Sequence, residues 1–294
     1  MDWQTLLITI FVYISEQYKT QLWPYCQRMS NNCNPEFTDE EILTLYLFGI
    51  IKQQFETKAI YSYALDHLLE WFPGLPSYTA FVKRLNRFDS LLQGLTEVIL
   101  NDFSGNDLNK LVRLIDSMPV IMANEKRSSK ARVAGQLASK GYCSSKGIYY
   151  YGVKIHILGI KREGKFPLPD YIGITGANNH DFPVFCQIAP YLEGGYVYAD
   201  SAYIDEFEKQ ILKQQDVELR TPVKKKKGQK KLELFDQLLS TSVSRVRQPV
   251  ESLFNWIEEK TRIQFASKVR SYNGLMVHIF GRLAAAIFLL VFKP

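Results

Sequence analysis

Asp116 and Asp200 each close an apolar run that reads as a buried strand, Leu111-Val112-Arg113-Leu114-Ile115-Asp116 and Tyr196-Val197-Tyr198-Ala199-Asp200. Open α/β sheets place their sites outside the carboxyl ends of such strands. Burying one carboxylate there is costly, and two close together cost more unless a cation neutralises them. Hard divalent ions such as Mg²⁺ take oxygen ligands and need only one or two carboxylates each. Two such ions about 3.5–4 Å apart can stabilise both the attacking and the leaving oxygens of an in-line phosphoryl displacement. Three carboxylates drawn from distant segments would supply that pair. A strand ending in aspartate is by itself a common capped strand end, so the elements around the two residues carry the rest of the reading.

Those elements suggest a mixed α/β sheet from about Asn109 onward. Ile148–Ile160 is rich in β-branched and aromatic residues, with Gly164 and the Pro167/Pro169 pair marking the next turn. Tyr171–Thr175 reads as a third strand, Tyr196–Asp200 as a fourth entered through Gly194-Gly195, and Val217–Val223 as a fifth after a helix over Ser201–Gln215. His156 alternates with Lys154 on a strand, one face of which is core. Ala123–Ser145 is Ser- and Ala-rich and poorly patterned. Pro249 suits the first position of a helix, which would put Glu251 in its first turn, where a carboxylate is favourable in any case.

The first hundred residues read as helices. Thr38-Asp39-Glu40-Glu41 is a capping box ahead of the apolar run Ile42–Ile51. Ser77 caps a short helix, Tyr78–Phe88, that carries Lys83, Arg84 and Arg87, and a further helix spans about Ser90–Leu100. This segment is either a helix-turn-helix whose basic helix enters a DNA groove or a plain bundle with a solvated basic face. The division expected is a helical region over 1–108 and a catalytic domain over 109–294.

Composition narrows the partners. Residues 1–108 hold 7 Lys+Arg against 13 Asp+Glu, whereas 109–294 hold 29 against 17. The basic C-terminal two-thirds suggests a polyanion, nucleic acid first. Four scattered cysteines, Cys26, Cys33, Cys143 and Cys186, form no Cys-x-x-Cys pair, which argues against a zinc site or a disulfide framework and for a reducing, intracellular setting. No secretory signal is convincing. The apolar run Leu275–Phe292 approaches a membrane span in length, but His278 and Arg282 near its middle favour a buried core helix.

Five segments together resemble the transposase DDE domain of bacterial insertion sequences, a branch of the RNase H-like superfamily that includes retroviral integrases. They are Ile115-Asp116-Ser117-Met118-Pro119-Val120, Tyr151-Gly152-Val153-Lys154-Ile155-His156, Asn179-His180-Asp181, Tyr198-Ala199-Asp200-Ser201-Ala202-Tyr203 and Arg247-Gln248-Pro249-Val250-Glu251. The resemblance spans residues 111–262 in the expected order; the first hundred residues match only the general plan of a helical segment before the catalytic domain. It implies an RNase H-like mixed sheet flanked by helices, preceded by an all-helical region. It also implies that Asp116, Asp200 and Glu251 are the catalytic carboxylates and hold two Mg²⁺, for which Mn²⁺ would substitute. The first two lie 84 residues apart and the third 51 further on. Related transposases carry Tyr-x-x-Arg-x-x-x-Glu-x₆-Lys around the glutamate. Arg247 and Glu251 fit, while Ser244 stands at the Tyr position and Glu258 at the Lys position. Glu258 shares a helix face with Glu251 and is the runner-up ligand. Arg262, eleven residues on, would share that face too and bring a basic group to the scissile phosphate.

His180 looks like the family's His beside Asp, a residue of the site wall. Two basic runs flank the carboxylates: Lys126, Arg127, Lys130 and Arg132 after the first, and Lys224, Lys225, Lys226, Lys227, Lys230 and Lys231 between the second and the glutamate. Both could neutralise phosphates without reading sequence. The activity implied is cleavage of the terminal inverted repeats of a mobile element and their joining to target DNA. It would be carried out by a homodimer on DNA, cytoplasmic and nucleoid-associated, with no membrane and no small-molecule cofactor. Alternatives are a metal-dependent nuclease or resolvase of the same fold, or a non-catalytic DNA-binding protein derived from a transposase.

Overall fold

The computed structural model describes residues 2–26, 35–103, 111–203, 206–225, 228–229 and 231–292. Lys226, Lys227, Lys230 and the 108/109 boundary lie outside them.

The chain opens with five helices: α1 (Trp3–Gln17), α2 (Asp39–Ile51), α3 (Thr57–His67), α4 (Tyr78–Leu85) and α5 (Asp89–Phe103). The local signals that start them act as expected. Thr38 Oγ1 accepts from Glu41 N while the Glu41 carboxylate accepts from Thr38 N, a complete capping box, and Ser77 Oγ accepts from Ala80 N. Strand β1 (Val112–Asn124) follows, then the one-turn α6 (Glu125–Ser128), β2 (Ser139–Cys143), β3 (Ile148–Ile160), β4 (Leu168–Gly176), α7 (Phe182–Ile188), β5 (Gly195–Tyr198), α8 (Glu206–Gln214), β6 (Val217–Arg220), α9 (Leu234–Thr261) and α10 (Tyr272–Val291).

Two compact units result. A helical unit takes Met1–Phe103, Arg132–Gln136 and Ile257–Pro294; a sheet unit takes Ser104–Ala131 and Leu137–Trp256. This differs from the expected division at 108, because the C-terminal segment packs with the N-terminal helices. Tyr46 Oη donates to Val277 O and Thr96 Oγ1 to Phe280 O, tying α2 and α5 to α10. α10 is long and apolar enough to cross a membrane, with a mean hydropathy of 2.1, yet 78% of that stretch is buried inside the protein. Its polar groups are satisfied there: His278 Nε2 pairs with Ile263 O at 2.8 Å, and Arg282 donates to Thr261 O, Tyr46 Oη and Phe55 O. These partners make Leu275–Phe292 the buried core helix that its two ionisable residues predict.

In the sheet unit the six strands form one mixed sheet. β3 pairs antiparallel with β1 along one edge, and with β2 then β4 along the other. β5 lies parallel to β1, and β6 parallel to β5. An antiparallel meander continued by parallel strands, with helices on its faces, is the RNase H-like arrangement. One face packs Ile115, Leu158, Val197 and Val217 with Phe185 of α7 and Leu212 of α8. Close approach of β1 and β3 depends on Gly152, where a Cβ would sit 2.0 Å from the Val120 carbonyl oxygen.

Candidate active site

The register of the parallel pair brings the two aspartates together. β1 and β5 pair at Val112↔Tyr196, Arg113↔Val197 and Leu114↔Tyr198, and then β5 ends. Asp116 and Asp200 each stand two residues past the last matched pair, so the two lie side by side where β5 ends, Asp116 still on β1 and Asp200 just beyond β5. The apolar run alone would end β1 at Asp116; the strand instead runs on to Asn124, paired there with β3. Pro119, with no N–H to give, is tolerated in that one-sided stretch. Each aspartate is steadied by the next backbone amide: Ser117 N donates to Asp116 Oδ1 at 2.8 Å, and Ser201 N to Asp200 Oδ1 at 2.6 Å.

The third carboxylate comes from α9. That helix begins at Leu234, so Pro249 lies inside it and Glu251 in its interior rather than in a first turn. The expected capping explanation for Glu251 is thereby removed. Arg247 and Glu251, one turn apart, share a face of this helix. The buried Arg247 guanidinium joins the three acids. Its Nη2 donates to Asp116 Oδ2 at 3.0 Å and lies 3.9 Å from Glu251 Oε1, while Nη1 is 3.9 Å from Asp200 Oδ1. Asp200 and Glu251 are more than half exposed, at 53% and 58%, so both can turn toward a ligand from solvent. Asp116 is mostly buried, and burial pushes its carboxyl up to about 6; Arg247 opposes this, and the negative charges of Asp200 and Glu251 add to it.

A second set of polar groups adjoins the first. Asp181 accepts from Ser117 Oγ at 3.1 Å and from Lys154 Nζ at 2.9 Å, and its Oδ1 is 3.9 Å from His156 Nδ1. His156 is fully buried on β3, its Nε2 is 2.8 Å from Thr175 Oγ1, and burial draws its pKa down to about 4. Tyr203 is fully buried, with no hydrogen-bond partner for its hydroxyl among the described residues; burial, then the charges of Asp181 and Asp116, oppose its ionisation. His180, expected at the site wall, is exposed, and its neighbour Asp181 makes the contacts to Ser117 and Lys154. The alternation of Lys154 and His156 on a strand was the available signal for this group.

The remaining basic residues fall in several settings. Lys126, Arg127 and Lys130 are exposed just after β1, and Lys224, Lys225 and Lys231 are exposed between β6 and α9. Arg132 is exposed in a segment of the helical unit. Lys83 and Arg87 are exposed, whereas Arg84 is engaged with the Phe37 carbonyl and Asp39, which fixes the start of α2. Arg262 does not share the helical face with Glu251. α9 ends at Thr261, and Arg262 takes a left-handed φ of 50° with its guanidinium 4.8 Å from the Phe55 ring. Glu258 accepts from Gln264 N at 2.8 Å, a contact that closes the same helix end within the helical unit.

Three oxygen-only donors, two of them solvent-accessible, suit hard divalent ions rather than softer metals. Among the described residues, no three His, Cys, Asp or Glu side chains are already drawn together as a metal cage. The cation now holding the acids is Arg247. A family model described as a transposase DDE domain matches residues 107–271, just over half of the chain. No curated protein and no solved structure matches it.

Proposed function

The chain belongs to the transposase DDE domain family, and from that premise we propose that it cleaves the ends of an insertion sequence and joins them to target DNA. The observation that carries this reading is the register of β1 and β5, which sets Asp116 beside Asp200 under one guanidinium shared with Glu251. Asp116, Asp200 and Glu251 would hold two Mg²⁺, or Mn²⁺ in their place. When bound, the ions supply charge neutralisation at the attacking and leaving oxygens of a phosphoryl displacement. The raised Asp116 carboxyl fits this role, because a nearby cation favours its charged form.

The chain's own residues orient and neutralise. Arg247 keeps Asp116 in place and limits repulsion among the three acids. Lys154 and Ser117, tied through Asp181, brace the backbone next to Asp116. In the first displacement water attacks a phosphodiester at the element end, and the bond to the departing 3′-oxygen breaks. The freed 3′-hydroxyl then attacks a target phosphodiester, so no covalent link between protein and DNA is required. Lys126, Arg127 and Lys130, with the lysines before α9, would track the DNA backbone. Two ends handled together call for a homodimer on DNA, acting in the cytoplasm at the nucleoid. The test replaces Asp116 or Asp200 by Asn, or Glu251 by Gln, and follows cleavage and joining of end DNA with Mg²⁺. Loss of both steps is expected; variants that still join would overturn the assignment, and cleavage without joining by the wild type would favour a nuclease of the same fold.

A further inference from the structure

We infer that the helical unit binds a nucleic-acid strand in a cavity between α3, α4 and the segment 262–274, holding its phosphates and one unstacked base. The cavity measures about 560 Å³, within the range of sites for small ligands. Lys58, Arg262, Lys268 and Arg270 line it, all exposed, against a single carboxylate, Glu56. None of the four cations has a carboxylate within ion-pair distance among the described residues; Arg262 rests on the Phe55 ring and Arg270 donates to the Ser267 and Val269 carbonyls. Behind them Arg282 is buried, and among the described residues it hydrogen-bonds only to carbonyl and hydroxyl oxygens, with no carboxylate against its charge. His278, on the same wall, is kept neutral by burial and by Arg282. A concave surface with this excess of positive charge concentrates anions.

Aromatic side chains distinguish the site from a plain phosphate pocket. Phe265 is 61% exposed and Tyr78 39%, and both line the cavity. Exposed rings interleaved with Lys and Arg are what single strands use: cations follow the backbone while bases stack on the rings. The site lies in a different unit from Asp116, Asp200 and Glu251 and needs no metal ion, so it extends the proposed function rather than restating it.

The test measures anisotropy of a labelled DNA single strand of about 12 nucleotides on the full chain, with EDTA present so that no cleavage contributes. Salt is varied between about 50 and 200 mM. Lys58→Ala/Lys268→Ala should weaken binding and make log K fall less steeply with log salt, by about 1.4 for two lost phosphate contacts. Lys58→Arg/Lys268→Arg should keep the wild-type slope. Phe265→Ala should weaken binding about tenfold with the slope unchanged. Wild-type affinity and slope in the Ala variants, with unaltered melting, would overturn the inference. A deoxynucleoside monophosphate that competes with the strand on the wild type, and no longer does so on the same variants, would support the site, because one base and one phosphate would then be enough to occupy it. Because these readouts need no divalent ion, their failure leaves the cleavage assignment standing, and the reverse also holds.

Discussion

Replacing Asp116 by Asn should stabilise the protein at neutral pH while abolishing its chemistry. Burial raises the Asp116 carboxyl from its ordinary 3.8 to about 6, in spite of the opposing attraction of Arg247. Each pH unit of difference between folded and unfolded chains corresponds to about 1.4 kcal/mol, so the ionised carboxylate costs the folded state about 3 kcal/mol. The folded state binds this proton more tightly than the unfolded chain does. Stability linked to the group is therefore complete below the unfolded value and is lost as pH rises through about 6. Asparagine does not titrate, and the advantage of Asp116→Asn should grow with pH, by about 1.5 kcal/mol between roughly pH 5 and 7.5. Urea unfolding followed by tryptophan fluorescence in EDTA measures the difference at each pH. Adding Mg²⁺ near neutral pH should stabilise the wild type and leave the variant unchanged, closing the gap. A wild-type-to-variant difference that stays constant across the pH range would refute the reasoning, since it would mean that Asp116 ionises freely.

Three other perturbations follow from the same geometry. Arg247→Ala should destabilise by about 3 kcal/mol or more, because it leaves a buried carboxylate without its partner, while Arg247→Lys keeps the charge but loses the forked contact and should lower cleavage with a smaller loss of stability; urea midpoints and end-cleavage rates separate the two. Tyr203→Phe removes a buried hydroxyl with no partner among the described residues, so it should leave the melting temperature unchanged or raise it slightly, and a marked fall in melting temperature would show that the hydroxyl is engaged. Gly152→Ala places a Cβ 2.0 Å from the Val120 oxygen and should cost about 1–3 kcal/mol through strain between β1 and β3, read as a lowered melting temperature.

What the sequence discloses here depends on how local each signal is. The bounds of β3 are marked by a run rich in β-branched and aromatic residues, and the start of α2 by a capping box whose bonds span three residues. β2 is hidden because Ser139-Lys140-Gly141-Tyr142-Cys143 has little apolar content and gains its place only by pairing with β3. The true length of β1 is obscured by Asp116-Ser117 and Pro119, which a central strand would reject and a one-sided stretch accepts. Pro249 mimics a helix start because α9 is already under way for several turns before it. At the site, Asp116 and Asp200 are legible as residues, but their adjacency follows from the parallel register, and the hubs at Arg247 and Asp181 follow from long-range contacts. The joining of α10 to α2 and α5 is long-range as well, which is why a single cut at 108 misses it.

The central claim rests most directly on a joining assay. Purified chain is incubated with DNA carrying the sequences that flank its coding region, a target plasmid and Mg²⁺, and the joints are sequenced. Covalent joining of the element's 3′ ends to target DNA by the wild type, and none by Asp200→Asn at equal protein and unaltered melting, is the result predicted. Joints formed equally well by Asp200→Asn would contradict it.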